Sequence, residues 1–178
     1  MDVFVLYGSA KKQGTSSTIA DTLLASLPKG SRIQKCRAAA FPVAPCRNCG
    51  GCAGGRPCVI QDDMTPILGG IQRADVLVLA APIYYYGMPA PLKACFDRLH
   101  AWPPSQEHKP KSLLLLTVSA DTNPRTPQPL ISQMELICEY RGWKLYPLWI
   151  GGAADSRDLT DAHRQQIQTF TENFISSL

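Results

Sequence analysis

The stretch ADVLVLAAPI, residues 74–83, decides the fold because its central residues are apolar on both faces of an extended chain. Such runs are typical of strands that are buried on both sides of a parallel sheet. Working outward from it, four further segments predict strands. Three are largely apolar, DVFVLY at residues 2–7, KSLLLLTVS at 111–119 and WKLYPLWIGG at 143–152, and the fourth is RIQKC at 32–36, around Ile33.

Apolar residues at helical spacing separate the five predicted strands. The five stripes are Ile19, Ala20, Leu23, Leu24 and Leu27; Met64, Ile67, Leu68 and Ile71; Leu92, Cys95, Phe96, Leu99 and Trp102; Leu130, Ile131, Met134, Ile137 and Cys138; and Ile167, Phe170, Phe174 and Ile175. We expect Thr15 or Ser16 to cap the first helix, and Asp62 or Asp63 the second. The alternation predicts an α/β fold with a parallel sheet covered on both faces. It forms a single domain over residues 1–178.

Composition excludes several classes of function. The 18 Lys and Arg residues exceed the 14 Asp and Glu residues by only four and form no basic stripe, so we expect no nucleic-acid partner. No apolar window is long enough to span a membrane, and the first residues lack the pattern of a signal peptide. We therefore expect a cytoplasmic protein without a membrane partner. The segment WPPSQEHKP, residues 102–110, is predicted to be an exposed connection.

The loop after the first strand, GSAKKQGTSST at residues 8–18, has the groups that bind a terminal phosphate. Hydroxyls, lysines and the N–H groups of a helix N-terminus suit one phosphate monoester. They come from Ser9, Lys11, Lys12, Thr15, Ser16 and Ser17. The loop matches neither G-x-G-x-x-G nor a P-loop, so a dinucleotide or triphosphate site is not indicated. The alternative is an ordinary helix cap beside solvated lysines.

The segment after the third strand is rich in aromatic residues and proline. Pro82, Ile83, Tyr84, Tyr85, Tyr86 and Met88 could present a flat surface to a planar ring, and Gly87 would let the chain turn tightly beside it. Tyrosines at the end of a strand are also common core residues. Because the two loops follow neighbouring strands, however, one ligand with a phosphate and a ring would fit both.

Four cysteines lie within thirteen residues, in the spacing C-x2-C-x2-C-x5-C: Cys46, Cys49, Cys52 and Cys58. Closely repeated thiolates are the usual ligands of an iron–sulfur cluster, and the neighbouring glycines give the backbone freedom to wrap one. Zinc sites more often use two separated pairs, and a loop without metal remains a third alternative. We expect Cys36, Cys95 and Cys138 to be core residues.

Three stretches carry a family resemblance: GSAKKQG at residues 8–14, the cysteine stretch ending in CVIQDDM at 58–64, and AAPIYYYGMPAPLKACFDR at 80–98. By these the sequence resembles the flavodoxin-like NAD(P)H-dependent FMN reductase superfamily, and within it the iron–sulfur flavoproteins. The resemblance implies a flavodoxin-like three-layer α/β/α sandwich with a five-stranded parallel sheet in the order 2-1-3-4-5. It further implies FMN and a [4Fe–4S] cluster as cofactors.

The resemblance also implies roles for individual residues. FMN phosphate contacts fall on Ser9, Lys11, Thr15 and Ser16, and flavin-ring contacts on Pro82, Ile83, Tyr84, Tyr85, Gly87 and Met88. A third flavin loop would be formed by Ser119, Ala120 and Asp121, and the cluster would bind to Cys46, Cys49, Cys52 and Cys58. The third loop departs from the family pattern, because several relatives have glycines where this chain has DTN.

The family further implies a homo-oligomer, either a dimer or a tetramer, that takes electrons from a ferredoxin-like donor and passes them to a small acceptor such as oxygen or peroxide. In that case no side chain is needed as acid, base or nucleophile. One alternative is a metal-free NAD(P)H-dependent FMN or quinone reductase. Another, from a different class, is a binding module whose cysteine loop holds zinc.

Overall fold

The computed structural model describes residues 1–106 and 111–178 and contains one five-stranded sheet. The strands are β1 (Asp2–Tyr7), β2 (Arg32–Arg37), β3 (Val76–Pro82), β4 (Ser112–Val118) and β5 (Lys144–Ile150). All are parallel, in the order β2-β1-β3-β4-β5. The predicted strand number, direction and order are therefore confirmed. β3 is central and buried along nearly its whole length, whereas β2 at one edge is mostly exposed.

Four α-helices of the described residues connect successive strands: α1 (Thr15–Ala25), α2 (Met64–Arg73), α3 (Ala90–Asp97) and α4 (Gln128–Arg141). A further helix, α5 (Asp161–Ser176), follows β5. Short 3-10 turns lie at Ala38–Ala40, Ala53–Gly55, Arg98–Ala101, Pro104–Gln106 and Ser156–Asp158. α4 ends at Gly142, whose φ of 68° is the left-handed conformation that glycine adopts without steric cost. No helix in the described ranges is long and apolar enough to cross a membrane.

The sheet separates two hydrophobic cores, because successive side chains of a strand point to opposite faces. Leu77 and Leu79 of β3 face α2, α3 and α4, while Val76 and Val78 face α1 and α5. The result is the predicted three-layer α/β/α sandwich. Cys36, Cys95 and Cys138 are all buried in the core on the α2–α3–α4 side, as expected.

The connection after α3 differs from the prediction. The helix ends at Asp97, so Trp102 lies beyond it, and its side chain is only 2% exposed. Arg141 stacks 4.1 Å from the Trp102 ring centroid, Lys111 lies 5.6 Å from it, and the indole N–H donates to Gln106 O (3.1 Å). Cation–π contacts and this hydrogen bond explain why the ring is buried. Residues 107–110 of the predicted exposed connection lie outside the described part of the chain.

Candidate functional site

Three loops leave the carboxyl edge of the sheet side by side, because β1, β3 and β4 are neighbours. Backbone hydrogen bonds extend the pairing past the strand ends, from Gly8 N–H to Ala80 O (2.9 Å) and from Ile83 N–H to Val118 O (2.8 Å). A Cβ at Gly8 would lie 2.8 Å from Ala81 Cβ. The start of the first loop thus contacts the last residues of β3 at this edge, where ligands of open α/β sheets bind.

The first loop places hydroxyls and a helix N-terminus together. Ser9, Thr15, Ser16 and Ser17 are buried, whereas Lys11 is exposed. The N-cap of α1 is Gly14 and not Thr15 or Ser16, so the predicted cap is wrong by one residue. As a consequence, Thr15 lies inside the first turn, and its Oγ1 is buried without a hydrogen-bond partner in the described part of the chain.

Arg37, at the end of β2, holds this loop in place by hydrogen bonds. This role was not predicted from the sequence. Its guanidinium donates to Ser9 O (2.6 Å) and Lys12 O (3.3 Å) and lies 4.8 Å from the ring centroid of Tyr7. Because Arg37 binds the carbonyl oxygens of Ser9 and Lys12, the N–H groups of the same two peptides point away from Arg37. The sequence feature that could have indicated it is the position of Arg37 at the carboxyl end of β2, the neighbour of β1.

The aromatic segment forms a tight two-residue turn. Tyr84 and Gly87 exchange both backbone hydrogen bonds (3.0 Å each), and the two residues between them have positive φ, 47° at Tyr85 and 65° at Tyr86. Gly87 does not adopt positive φ, so the expectation that glycine makes this turn is wrong. Aromatic residues in the left-handed region are uncommon and strained.

The turn exposes its rings to solvent. Tyr85 is completely exposed, Tyr84 and Tyr86 are more than half exposed, and Pro82 and Ile83 are half-buried at the base. The possibility that these tyrosines are core residues is therefore excluded. Strained backbone together with an exposed apolar surface is typical of a binding site.

The third loop is organised by its own hydrogen bonds. Ser119 Oγ donates to Asp121 O (2.8 Å) and accepts from the Trp149 indole N–H (2.9 Å), and Thr126 donates to the Asp121 carboxylate (2.7 Å). The hydrogen bonds that the Asp121 carboxylate accepts from Thr126 and from the Asn123 N–H (2.9 Å) lower its pKa. The buried Ser119 hydroxyl is thus used within the protein, whereas Ala120 is exposed. This loop has fewer groups available for a ligand than the other two.

The cysteine loop, residues 46–58, closes one side of a cavity of about 680 Å³. All four of its cysteines line this cavity, together with residues of α3 and α4 and with Met88 of the aromatic segment. Asn48, Gly50, Gly54 and Gly55 have positive φ, which bends the loop sharply. Within residues 1–106 and 111–178, however, no three Cys, His, Asp or Glu side chains are close enough together to hold a metal ion.

A buried ion pair joins both ends of the cysteine loop to the end of α3. Arg98, 2% exposed, donates to both carboxylate oxygens of Asp62 at 2.8 and 3.1 Å. It also donates to Ala44 O (2.9 Å), before the loop, and to Ile60 O (3.1 Å), after it. Asp62 in turn accepts the N–H groups of Ala44 (2.9 Å) and Met64 (3.1 Å).

The predicted capping role of the two aspartates is thereby refined. Asp62 binds the N–H of the first α2 residue, Met64, but its main partner is Arg98, whereas Asp63 makes no capping bond with its side chain. Burial raises the pKa of Asp62, but the hydrogen bonds from Arg98, Ala44 and Met64 outweigh it and place the pKa below the ordinary value. The carboxylate therefore stays ionised.

The three core cysteines, Cys36, Cys95 and Cys138, are buried, whereas the cysteines of the loop are exposed or half-buried. Burial raises the pKa of Cys36 and Cys138 to about 11 and that of Cys95 to about 12. They remain thiols and are inert as metal ligands under ordinary conditions.

The two implied cofactors can be compared with the residues present. An unpartnered buried hydroxyl at a helix N-terminus, beside exposed lysines, fits a phosphate monoester. The exposed aromatic turn on the neighbouring strand fits a planar ring. For the cluster, the donor chemistry fits, since four thiols line one cavity, although they are not gathered into a ligating arrangement.

Comparison with known proteins agrees with this fit. The model of the NADPH-dependent FMN reductase family matches residues 1–126. An iron–sulfur flavoprotein of Methanosarcina thermophila is 50% identical over 56 residues, which are 32% of this chain and 29% of that protein. The curated relatives with this name are matched over 29–51% of their own length, about half or less.

Two further similarities extend over almost the whole chain. The NAD(P)H-dependent FMN-containing oxidoreductase YwqN of Bacillus subtilis is 25% identical over 175 residues, 92% of each protein. The solved structure of a Trp repressor binding protein from Bacillus subtilis superposes with a TM-score of 0.64 at 22% identity, over 96% of this chain and 97% of that one. The second likeness supports the fold alone.

Proposed function

Because the chain belongs to the NADPH-dependent FMN reductase family, we propose that it is a redox flavoprotein that binds FMN at the carboxyl edge of β1, β3 and β4. The observation that carries this proposal is the buried, unpartnered hydroxyl of Thr15 in the first turn of α1. A buried donor without a partner costs stability unless a ligand binds it. A phosphate at the helix N-terminus would accept its hydrogen bond.

We assign the FMN phosphate to Ser9, Lys11, Thr15 and Ser16. Ser9 and Ser16 are buried beside Thr15, and Lys11 is an exposed cation at the mouth of the loop. Free N–H groups at the start of α1 and its dipole favour an anion there. Arg37 holds the loop through the carbonyl oxygens of Ser9 and Lys12 and so fixes the direction of its N–H groups.

We assign the flavin ring to the aromatic segment and the third loop. The proposed contacts are Pro82, Ile83, Tyr84, Tyr85, Gly87 and Met88, with Ser119 and Ala120 on the opposite side. Support comes from the exposed tyrosines of the turn and from the adjacency of β3 and β4. Ser119 contributes through its backbone, because its hydroxyl already binds Asp121 and Trp149.

We further propose that Cys46, Cys49, Cys52 and Cys58 bind a [4Fe–4S] cluster. The thiols share one cavity with Met88, so a cluster there would lie on the flavin side of the protein. When bound, FMN exchanges one or two electrons and an iron–sulfur cluster exchanges one. The chain's own residues bind, orient and insulate these groups, and no side chain is assigned a catalytic role.

In this proposal electrons enter from a ferredoxin-like donor, reach FMN by way of the cluster and leave to a small acceptor such as oxygen or peroxide. Neighbouring copies in a homo-oligomer would bring cluster and flavin together. The second candidate is a cluster-free NAD(P)H-dependent FMN or quinone reductase. The near full-length similarity to the FMN-containing oxidoreductase YwqN favours it, as does the dispersed arrangement of the thiols.

Anaerobic purification with absorption spectroscopy, iron analysis and sulfide analysis tests the proposal. We expect FMN peaks over a broad band and about four iron atoms per chain for one cubane cluster. Flavin peaks without iron, with rapid bleaching by NAD(P)H, would establish the second candidate instead. A colourless protein containing zinc would contradict both and favour a zinc-loop binding module.

Substitution of the loop cysteines adds a matched control. We expect Cys49→Ser to lose the iron and sulfide but to retain FMN, because Cys49 lies outside the FMN loops. Cys138→Ala removes a cysteine that is buried in the core, and it should retain both. Equal iron in Cys49→Ser and the wild type would refute the cluster assignment.

A further inference from the structure

The cysteine loop is attached to the rest of the protein at few points. Arg98 and Asp62 hold its two ends through Ala44 and Ile60, and Gln106 donates to Gly55 O (3.0 Å) in its second half. Hydrogen bonds within the loop are short-range, such as Ala53 N–H to Gly50 O (3.0 Å). The position of four thiols therefore depends on a small number of tethers.

Arg98 is placed where it acts on both ends of the loop. Its buried guanidinium makes two hydrogen bonds to Asp62 and one each to Ala44 O and Ile60 O. Its Nε has no hydrogen-bond partner in the described ranges. One side chain thus connects the segment before the loop with the segment after it.

We propose that the Asp62–Arg98 ion pair positions the cysteine loop before any metal binds, and that this positioning favours uptake of the cluster. This inference rests on the proposed function, because it takes the loop cysteines as cluster ligands. The pair closes the ends of the loop, so that ordering it costs less conformational entropy when the metal arrives. Such partners around the ligands are what hold metal sites in place.

Limited proteolysis of the metal-free protein tests whether the ion pair positions the loop, and it does not require a cluster. Trypsin can cleave after Arg47, whereas Arg56 is followed by Pro57 and resists cleavage. Cleavage of a native loop follows the population of its open form. We expect Arg98→Met to accelerate cleavage after Arg47 by about tenfold or more, the factor for one lost charge-assisted hydrogen bond. Arg98→Lys, which keeps the charge, should be intermediate.

Thr171→Val is the control. Thr171 is buried like Arg98 and donates to Ile167 O (2.7 Å) within α5, on the face of the sheet opposite to α3, α4 and the cysteine loop. Its removal should destabilise the protein without changing the relative rate at Arg47. Equal cleavage rates for the wild type and Arg98→Met would overturn the proposal. If Arg98→Met does not fold, the comparison of Arg98→Lys with the wild type decides in the same way.

Reconstitution with ferrous iron and sulfide tests whether the ion pair favours uptake of the cluster. We expect Arg98→Met to take up less than about half the iron of the wild type, while its affinity for FMN is unchanged. Arg98→Lys should take up an intermediate amount of iron, because it keeps the positive charge beside Asp62 but loses part of the hydrogen bonding. Full iron uptake by Arg98→Met refutes the inference. Absence of iron in the wild type itself refutes only the cluster proposal, since the cleavage assay still decides the role of the ion pair.

Discussion

Replacement of Thr15 by valine should have opposite effects on the FMN-free protein and on FMN binding. Thr15 is 3% exposed and its hydroxyl has no partner in the described residues, while valine has nearly the same shape. An unsatisfied buried polar group costs about 1–3 kcal/mol. We therefore expect Thr15→Val to raise the free energy of unfolding of the FMN-free protein by about that amount.

In the proposed complex, the same substitution removes a hydrogen bond to the FMN phosphate. Charge-assisted hydrogen bonds contribute about 1.5–3 kcal/mol, so the dissociation constant for FMN should rise roughly 10- to 150-fold. Because bound FMN stabilises the folded state in proportion to its affinity, the order of stability reverses at saturating FMN. Urea unfolding with and without FMN, and titration followed by quenching of flavin fluorescence, measure both effects.

Thr171→Val is the control for this experiment. Thr171 is also helical and 3% exposed, but its hydroxyl donates to Ile167 O (2.7 Å). Its removal should lower the free energy of unfolding by about 0.5–1.5 kcal/mol and leave the affinity for FMN unchanged. The reasoning is refuted if Thr15→Val is less stable without FMN and binds FMN as tightly as the wild type.

Three further predictions concern the turn, the loop contact and the ion pair. Asn-Gly suits two residues of positive φ, so replacing Tyr85-Tyr86 by Asn-Gly should raise the free energy of unfolding by about 1–2 kcal/mol. The same replacement should weaken FMN binding. A lower urea midpoint would show that the turn is not strained. Gly8→Ala places a Cβ 2.8 Å from Ala81 Cβ and should cost about 1–3 kcal/mol in the same assay, so an unchanged midpoint contradicts the close contact. The pKa of Asp62 is lowered in the folded state, so its stabilisation is complete above the ordinary aspartate pKa and is lost as pH falls through the folded value. Urea unfolding between about pH 5 and about pH 2 should therefore show a shallower loss of stability in Asp62→Asn than in the wild type, and parallel pH curves would exclude this contribution.

Local periodicity was sufficient to predict the buried strands and their parallel direction, whereas the order of the strands came from the family resemblance. Runs such as Val76–Ala81 are apolar at every position because β3 is covered on both faces, and this pattern is visible without tertiary information. Trp102 shows the limit of the same reasoning. It continues the apolar stripe of α3 but lies beyond the helix, where it is buried by Arg141 and Lys111 from other elements.

The position of the candidate site could be predicted where it depends on the order of the strands. It could not be predicted where it depends on contacts between residues that are distant in sequence. The three loops follow β1, β3 and β4, and the sheet order brings them to one edge. Arg98, by contrast, is 36 residues from Asp62, and no local pattern links the two. The positive φ at Tyr85 and Tyr86 was missed because sequence rules assign such turns to glycine and asparagine.

All the core cysteines lie on one side of the sheet, and the cysteine loop rests on α3 and α4 of that same side. The opposite layer, built from α1 and α5, has no buried cysteine among its described core residues. Oxidation of the exposed loop thiols Cys46 and Cys49 would thus act on one half of the sandwich and spare the half that carries α1 and α5. For the same reason, the cysteine loop could be redesigned while the α1–α5 half is left untouched.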